Sequence, residues 1–309
     1  MKDIFVNFYF IEDSNSGEWM LVDAGLTTSA PKIKLMAEAL FGDMPPSAII
    51  LTHAHFDHRG ALRKLANEWQ VPVYAHYLEM PYLTGLSSYP PADPTVGGGV
   101  LSSISPLYPD GPIDISGMVA ALPEDGSIPG MSEWRYIHTP GHAPGHISLF
   151  REEDRVLIAG DAIVTTAQES ASAVITQKKV LSGPPKYFTY DWKAAKESVK
   201  KLMDLRPEIL ATGHGKPMHG NEMRDSLKTL YNHFDDVAVP ASGRYVDVPA
   251  YADEAGVHYV PPKEGNVARW LILGGIAAAV LGTALFLGYR ARQKRNQPVY
   301  KKLMDKYLR

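Results

Sequence analysis

Thr52-His53-Ala54-His55-Phe56-Asp57-His58 places four ligand-capable side chains, His53, His55, Asp57 and His58, within six residues, directly after the apolar run Ala48-Ile49-Ile50-Leu51. A short apolar run of this kind predicts a buried strand. The histidines then leave a strand end as a loop, where alternate residues can point to one side. His53 and His55 can face one cation; Asp57 and His58, after the chain turns, can face a second. Neutral imidazole and carboxylate are natural ligands for zinc and similar ions. The alternative is a solvated His-rich loop, and four such residues at this spacing argue against it.

Three later segments supply what the loop lacks. Thr139-Pro140-Gly141-His142-Ala143-Pro144-Gly145-His146 lies between two predicted strands. Gly160-Asp161-Ala162 follows the predicted strand 156–159, and Gly213-His214-Gly215 follows the predicted strand 209–212. In each, a ligand-type residue follows a strand end beside glycine, which permits tight turns and close approach. Taken singly, each histidine is more simply structural; their order after the first motif makes the set specific.

With these motifs in place, the sequence resembles the metallo-β-lactamase superfamily over roughly residues 1–236. The resemblance implies an αββα four-layer sandwich with metal ions at one edge of the paired sheets. Carried over position by position, it implies that His53, His55 and His142 hold a first ion. Asp57, His58 and His214 would hold a second, and Asp161 would bridge both. His146 matches a nearby histidine that supports the site without binding metal, and Asp23 an acidic residue that orients ligands. His219 is assigned to packing or surface. Two divalent ions, expected to be zinc, would share an oxygen and lower the pKa of that water. The resulting bridging hydroxide would attack an ester, thioester or lactone, with Asp57 and Asp161 as the catalytic carboxylates and Asp57 shuttling a proton.

Departures from subfamily patterns narrow the field. True β-lactamases of the superfamily use a cysteine ligand or lack the bridging aspartate; this chain has no cysteine and has Asp161. Lactonases that resemble it place a tyrosine three residues after that aspartate, where this chain has Val164. The segment Val164–Ser170 lacks the basic, glutathione-gripping residues of glyoxalase II, and His55 replaces the glutamate of flavodiiron reductases. The segments Pro81–Pro91 and Thr165–Ser170 are similar to those of a group of generic bacterial metallo-hydrolases of unstated substrate. Two other readings stand beside the hydrolase: a mononuclear iron oxygenase of persulfide or redox type on the same fold, and a non-catalytic membrane-anchored scaffold.

Composition bounds the rest. The chain has 309 residues and no cysteine, so disulfides, thiolate ligands and a cysteine nucleophile are excluded. From Arg290 onward there are eight basic residues and one acidic, leaving a body whose acidic residues outnumber its basic ones. An acidic body argues against nucleic acid as a partner. A small-molecule substrate is expected, with an amphiphile near a membrane among the candidates.

The domain reading follows from patterning. Residues 1–239 are expected to form the catalytic domain. Within it, residues 77–130, rich in Pro, Gly and Ser, are read as a lid or substrate loop. Tyr82, Tyr89, Tyr187 and Tyr190 could line a pocket, with ordinary packing an equal alternative. Residues 240–267 read as a linker. Residues 268–289 read as a transmembrane helix: Trp270 to Tyr289 carries no charge and no proline, and about 20 such residues cross the hydrocarbon core. Residues 290–309 form a basic tail. Gly274, Ala278 and Gly282 make a small-residue stripe that would allow a homodimer through the span, although scattered small residues on a lipid-facing helix are the simpler reading. Met1–Asn7 lacks the apolar core of a signal peptide, and Arg290 and Arg292 follow the span. The positive-inside rule would put that basic end in the cytoplasm, and the missing signal peptide would keep the catalytic domain there too, which one span cannot satisfy; of the two, a single-pass protein with a cytoplasmic catalytic domain is the expectation.

Overall fold

The structure is a computed structural model and describes residues 2–3, 5–176 and 179–263. Two five-stranded sheets form its centre. The first runs, in spatial order, Tyr9–Glu12, Trp19–Val22, Ala48–Ile50, Val73–Ala75, Val119–Ala121. Its first pair is antiparallel and the rest are parallel. The second runs Met218–His219, Ile209–Ala211, Val156–Ile158, Ile147–Arg151, Trp134–His138. There only the Val156–Ile158 and Ile209–Ala211 strands are parallel to each other.

Side-chain alternation along these strands builds the layers. Met20 and Val22, with Ala48 and Ile50, face the second sheet and pack with Ile147, Leu149, Ile158 and Ala211. Their neighbours Trp19, Leu21 and Ile49 point the other way. They pack with Ile33 and Ala37 of the helix Ala30–Phe41 and with Leu62 and Leu65 of the helix Leu62–Trp69. On the far side, Phe150, Leu157 and Leu210 pack with Trp192, Val199 and Leu202 of the helix Trp192–Asp204, and with Met223, Leu227 and Leu230 of the helix Gly220–Asn232. Helix, sheet, sheet and helix are thus stacked in that order, as the expected αββα sandwich requires. Asp191 caps the third helix, accepting from the Ala194 N–H at 2.9 Å.

Several boundaries differ from the sequence reading. Hydrophobic residues from Ile4 to Phe10 read as one strand, and the structure divides this stretch into Val6–Asn7 and Tyr9–Glu12. The stretch 77–130 is more built than a lid. It contains Met80–Leu83, Val100–Ser103 and the strand Val119–Ala121 that completes the first sheet, and it buries Tyr82, Leu83 and Tyr89.

The expected linker is corrected over residues 240–263. These residues belong to the same compact unit as the sandwich. Tyr245 is buried and its hydroxyl donates to the Pro91 carbonyl at 2.5 Å. The Arg244 N–H donates to Asp93 at 2.7 Å. The strands Tyr251–Asp253 and Gly256–Tyr259 form a hairpin in which the Val257 N–H donates to the Ser87 hydroxyl at 3.1 Å. Proline-rich composition reports local stiffness; it carries no information about contacts with residues more than a hundred positions away.

Among the described residues no helix is long and apolar enough to cross a membrane. The expected span 268–289 and the basic tail 290–309 lie outside the described residues.

Candidate metal centre

The strands Trp19–Val22, Ala48–Ile50, Val156–Ile158 and Ile209–Ala211 each end just before a site residue: Asp23, His53, Asp161 and His214. Residues 139–146 connect two neighbouring strands of the second sheet and bring in His142 and His146. Sheet topology therefore delivers residues nearly two hundred positions apart to one place.

The seven expected ligands converge. Their potential ligand atoms fall into three overlapping groups, His53/His55/His142, His53/His58/Asp161 and Asp57/His58/His214, within each of which the atoms lie within 4.8 Å of one another. Asp161 Oδ2 stands centrally, 3.6 Å from His58 Nε2, 3.6 Å from His142 Nε2 and 3.1 Å from His214 Nε2. His55 Nδ1 faces His142 Nε2 at 2.9 Å. Asp57 Oδ2 is 3.4 Å from His214 Nε2.

The residues fit a pair of cations. His53 Nε2, His58 Nε2 and Asp161 Oδ1 are buried and have no hydrogen-bond partner. Orphaned buried polar atoms are rare in native interiors, and a cluster of them aimed inward calls for an ion. Burial holds His53 and His55 well below the ordinary imidazole range, helped by the charge of neighbouring histidines. It takes His142 down to about 3, only partly offset by Asp161. These imidazoles are thus neutral, the form that binds metal. At His58 and His214 burial is the largest influence and acts downward, but the carboxylates of Asp161 and Asp57, with Asp23 at His58, together outweigh it and raise both. Burial pushes Asp161 upward, yet His214 and His58 hold it well below the carboxylate range.

Residues outside the ligand set fix the tautomers. Asp23 accepts from His58 Nδ1 at 2.8 Å and from the Thr52 N–H at 2.8 Å, so His58 presents Nε2 to the cluster. Asp23 does this with φ +61°, a strained conformation that Asp tolerates better than most residues. His146 accepts the Asp161 N–H at Nε2, 2.9 Å, while Nδ1 meets the Thr139 hydroxyl at 2.8 Å. His214 Nδ1 lies 2.6 Å from the Phe5 carbonyl, which accepts its proton and leaves Nε2 free.

Sequence reasoning missed three supports. Glu79 is fully buried and accepts from the Ala54 N–H at 2.9 Å, the Gly145 N–H at 2.7 Å and the Tyr89 hydroxyl, tying together the loops that carry His53–His58 and His142–His146. Asn7 Nδ2 donates to the carbonyls of Thr212 and Gly215 at 2.7 and 2.8 Å, gripping the His214 loop. Tyr245 packs edge-on against Tyr190, whose hydroxyl is 3.3 Å from His55 Nε2. None of these sits in a motif, so no local signal marked them. Of the four tyrosines considered for a pocket, Tyr187 lines a cavity, while Tyr82 and Tyr89 stack in the core at 3.9 Å and Tyr190 backs His55.

That cavity, of about 230 Å³, opens onto Asp57, Asp161 and His214 and is otherwise walled mostly by apolar side chains.

The sequence profile of the metallo-beta-lactamase superfamily matches residues 1–214. The chain belongs to the metallo-beta-lactamase superfamily. Within it, the chain is 51% identical over 233 residues to the probable metallo-hydrolase YflN of Bacillus subtilis (strain 168), covering 75% of this chain and 88% of that protein. The probable metallo-hydrolase YybB of the same organism is 28% identical over 217 residues, covering 70% of this chain and 84% of its own. Among solved structures, BLEG-1 B3 metallo-beta-lactamase superposes with a TM-score of 0.50 at 25% identity over 75% of this chain and 94% of its own. The archaeal superfamily protein ST1585 of Sulfolobus tokodaii superposes with a TM-score of 0.52 at 20% identity over 87% of this chain and 88% of its own, a likeness of fold alone.

Proposed function

We propose that this member of the superfamily is a dinuclear, zinc-dependent hydrolase of an ester, thioester or lactone. The observation that carries the reading is Asp161, whose carboxylate stands among His58, His142 and His214 with one oxygen still unpartnered. When bound, a pair of divalent ions supplies an acidified water as nucleophile and positive charge for a developing oxyanion. The chain's own residues do the rest. Asp23, His146 and Phe5 orient imidazoles and carboxylate before substrate arrives. Asp57 lines the cavity and reaches its carboxylate to His214, a position from which Oδ2 can pass a proton to a leaving group. Phe188 stacks on His55 at 4.6 Å and helps close the site against bulk water.

The test is metal content together with a panel of ester, thioester and lactone substrates, with Asp161→Ala as control. Two zinc ions per chain, and turnover lost in the variant, support the reading. One iron per chain, with oxygen consumed and no hydrolysis, overturns it. We further propose that the uncharged stretch Trp270–Tyr289 tethers the enzyme to a membrane with its catalytic domain in the cytoplasm, the short basic tail from Arg290 crossing to the other side against the positive-inside tendency. Protease treatment of sealed vesicles tests the sidedness: cleavage of the catalytic domain only from the outer face refutes it.

A further inference from the structure

We propose that the site selects substrates bearing a neutral, apolar acyl group of medium length, and that Leu101 and Ile104 form the wall that sets this preference. The proposal rests on the hydrolase reading and adds a substrate class to it.

The cavity beside the ligand cluster is lined by Phe56, Leu101, Ile104, Tyr108, Tyr187 and Phe188, among others, with Asp57, Asp161 and His214 at the ligand side. No lysine or arginine is among its lining residues. An anionic group at the end of the cavity away from the ligand cluster would therefore meet apolar and aromatic side chains and no counter-charge. A substrate carbonyl placed at the ligand cluster leaves its remaining atoms mostly aliphatic and aromatic surroundings. About 230 Å³ is the space of roughly eight waters, and a methylene is of similar size, so a chain of about six to eight carbons would fill it.

The wall is built in place. The Val100–Ser103 turn is pinned by the Ser103 hydroxyl on the Gly99 carbonyl at 3.0 Å and by the Ser102 hydroxyl on the Val96 carbonyl. The Tyr108 hydroxyl donates to the Leu101 carbonyl at 3.2 Å, and its ring packs against Phe56 at 5.3 Å and Phe188 at 5.9 Å. A Cβ on Gly99 would collide with the Glu169 backbone, so this turn lies directly on the segment that follows Asp161. Glu169 in turn accepts the Lys186 N–H at 3.1 Å and joins the wall to the Tyr187–Phe188 side. A preformed apolar slot favours each added methylene by about three- to fourfold until the space is full.

The experiment uses the zinc-loaded full chain. kcat/KM is measured on para-nitrophenyl acetate, butyrate, hexanoate, octanoate and dodecanoate, and on the para-nitrophenyl hemiester of succinate. In parallel, binding of the uncleavable ketones butan-2-one, hexan-2-one and octan-2-one is followed by saturation-transfer NMR, which needs no turnover. We expect kcat/KM and ketone binding to rise together by about threefold per methylene up to hexanoate or octanoate and then level. The succinate hemiester is expected to fall below butyrate. Ile104→Trp should move the optimum to a chain about two carbons shorter. Cleavage with no dependence on length, or a preference for succinate, overturns the acyl proposal while hydrolysis stands. Length-dependent ketone binding without cleavage of any ester, or of the thioesters and lactones of the panel above, supports the slot and refutes the hydrolase reading. If Ile104→Trp does not fold, the wild-type ketone series decides alone.

Discussion

Gly213 shows how little space the cluster leaves. A Cβ there would stand 2.0 Å from Asp161 Oδ1 and 2.8 Å from His58 Cε1. The residue carries no chemistry, yet its missing side chain is what lets the His214 loop approach the carboxylate. Gly213→Ala is expected to push Asp161 off its position and to lower the metal bound per chain, with activity lower by about ten- to a hundredfold. Elemental analysis of the folded variant checks this; full metal occupancy would show that the loop has room to spare. The histidines and aspartates themselves were legible in the sequence because each stands at a strand end beside glycine or in the dense 53–58 motif. Glu79 was not. It is one glutamate among many, and only the folded chain shows that it sits between two loops 90 positions apart.

At the scale of elements, the joints between strands decide the site. Glu79 bridges the loop after Ala48–Ile50 and the loop before Ile147–Arg151. Glu79→Gln keeps the size but must turn its NH2 toward one of the two backbone donors, Ala54 or Gly145. The orphaned N–H is expected to cost about 1–3 kcal/mol, read as a lower midpoint in urea with an unchanged slope. A second joint lies where His76, after Val73–Ala75, stacks on His138, at the end of Trp134–His138, at 4.1 Å. Burial, with the charge of His138, takes His76 from 6.5 down to about 3. The folded chain thus resists a proton that the unfolded chain accepts. Stability from this group is complete above pH 6.5 and is lost as pH falls toward 3. In the metal-free protein, His76→Phe should keep the stacking and flatten the acid side of the stability profile. Parallel profiles for both proteins would assign the acid loss elsewhere.

For the molecule as a whole, the compact unit extends to Lys263. A chain ending at 263 is expected to bind as much metal as the full chain does. A chain ending at 239 loses Tyr245 from behind Tyr190, the Arg244–Asp93 contact and the hairpin on Ser87. Loss of about 2–3 kcal/mol is expected, lowering Tm by roughly 5–10 °C for a domain of this size. Equal melting of the two truncations would restore the linker reading for 240–263.

The sequence alone determined a layered α/β class, which the family resemblance sharpened to αββα, together with the strand-end positions of the ligand residues and the exclusion of thiol chemistry. These depend on hydrophobic alternation, glycine beside polar residues and simple presence or absence, all of which are local. Tertiary structure alone decided which imidazole nitrogen faces the cluster, which groups brace the loops, where the apolar slot runs and how far the domain extends. Each of those depends on atoms brought within about 3 Å from remote parts of the chain. Tautomer, burial and cavity shape are properties of that convergence and have no local pattern to announce them.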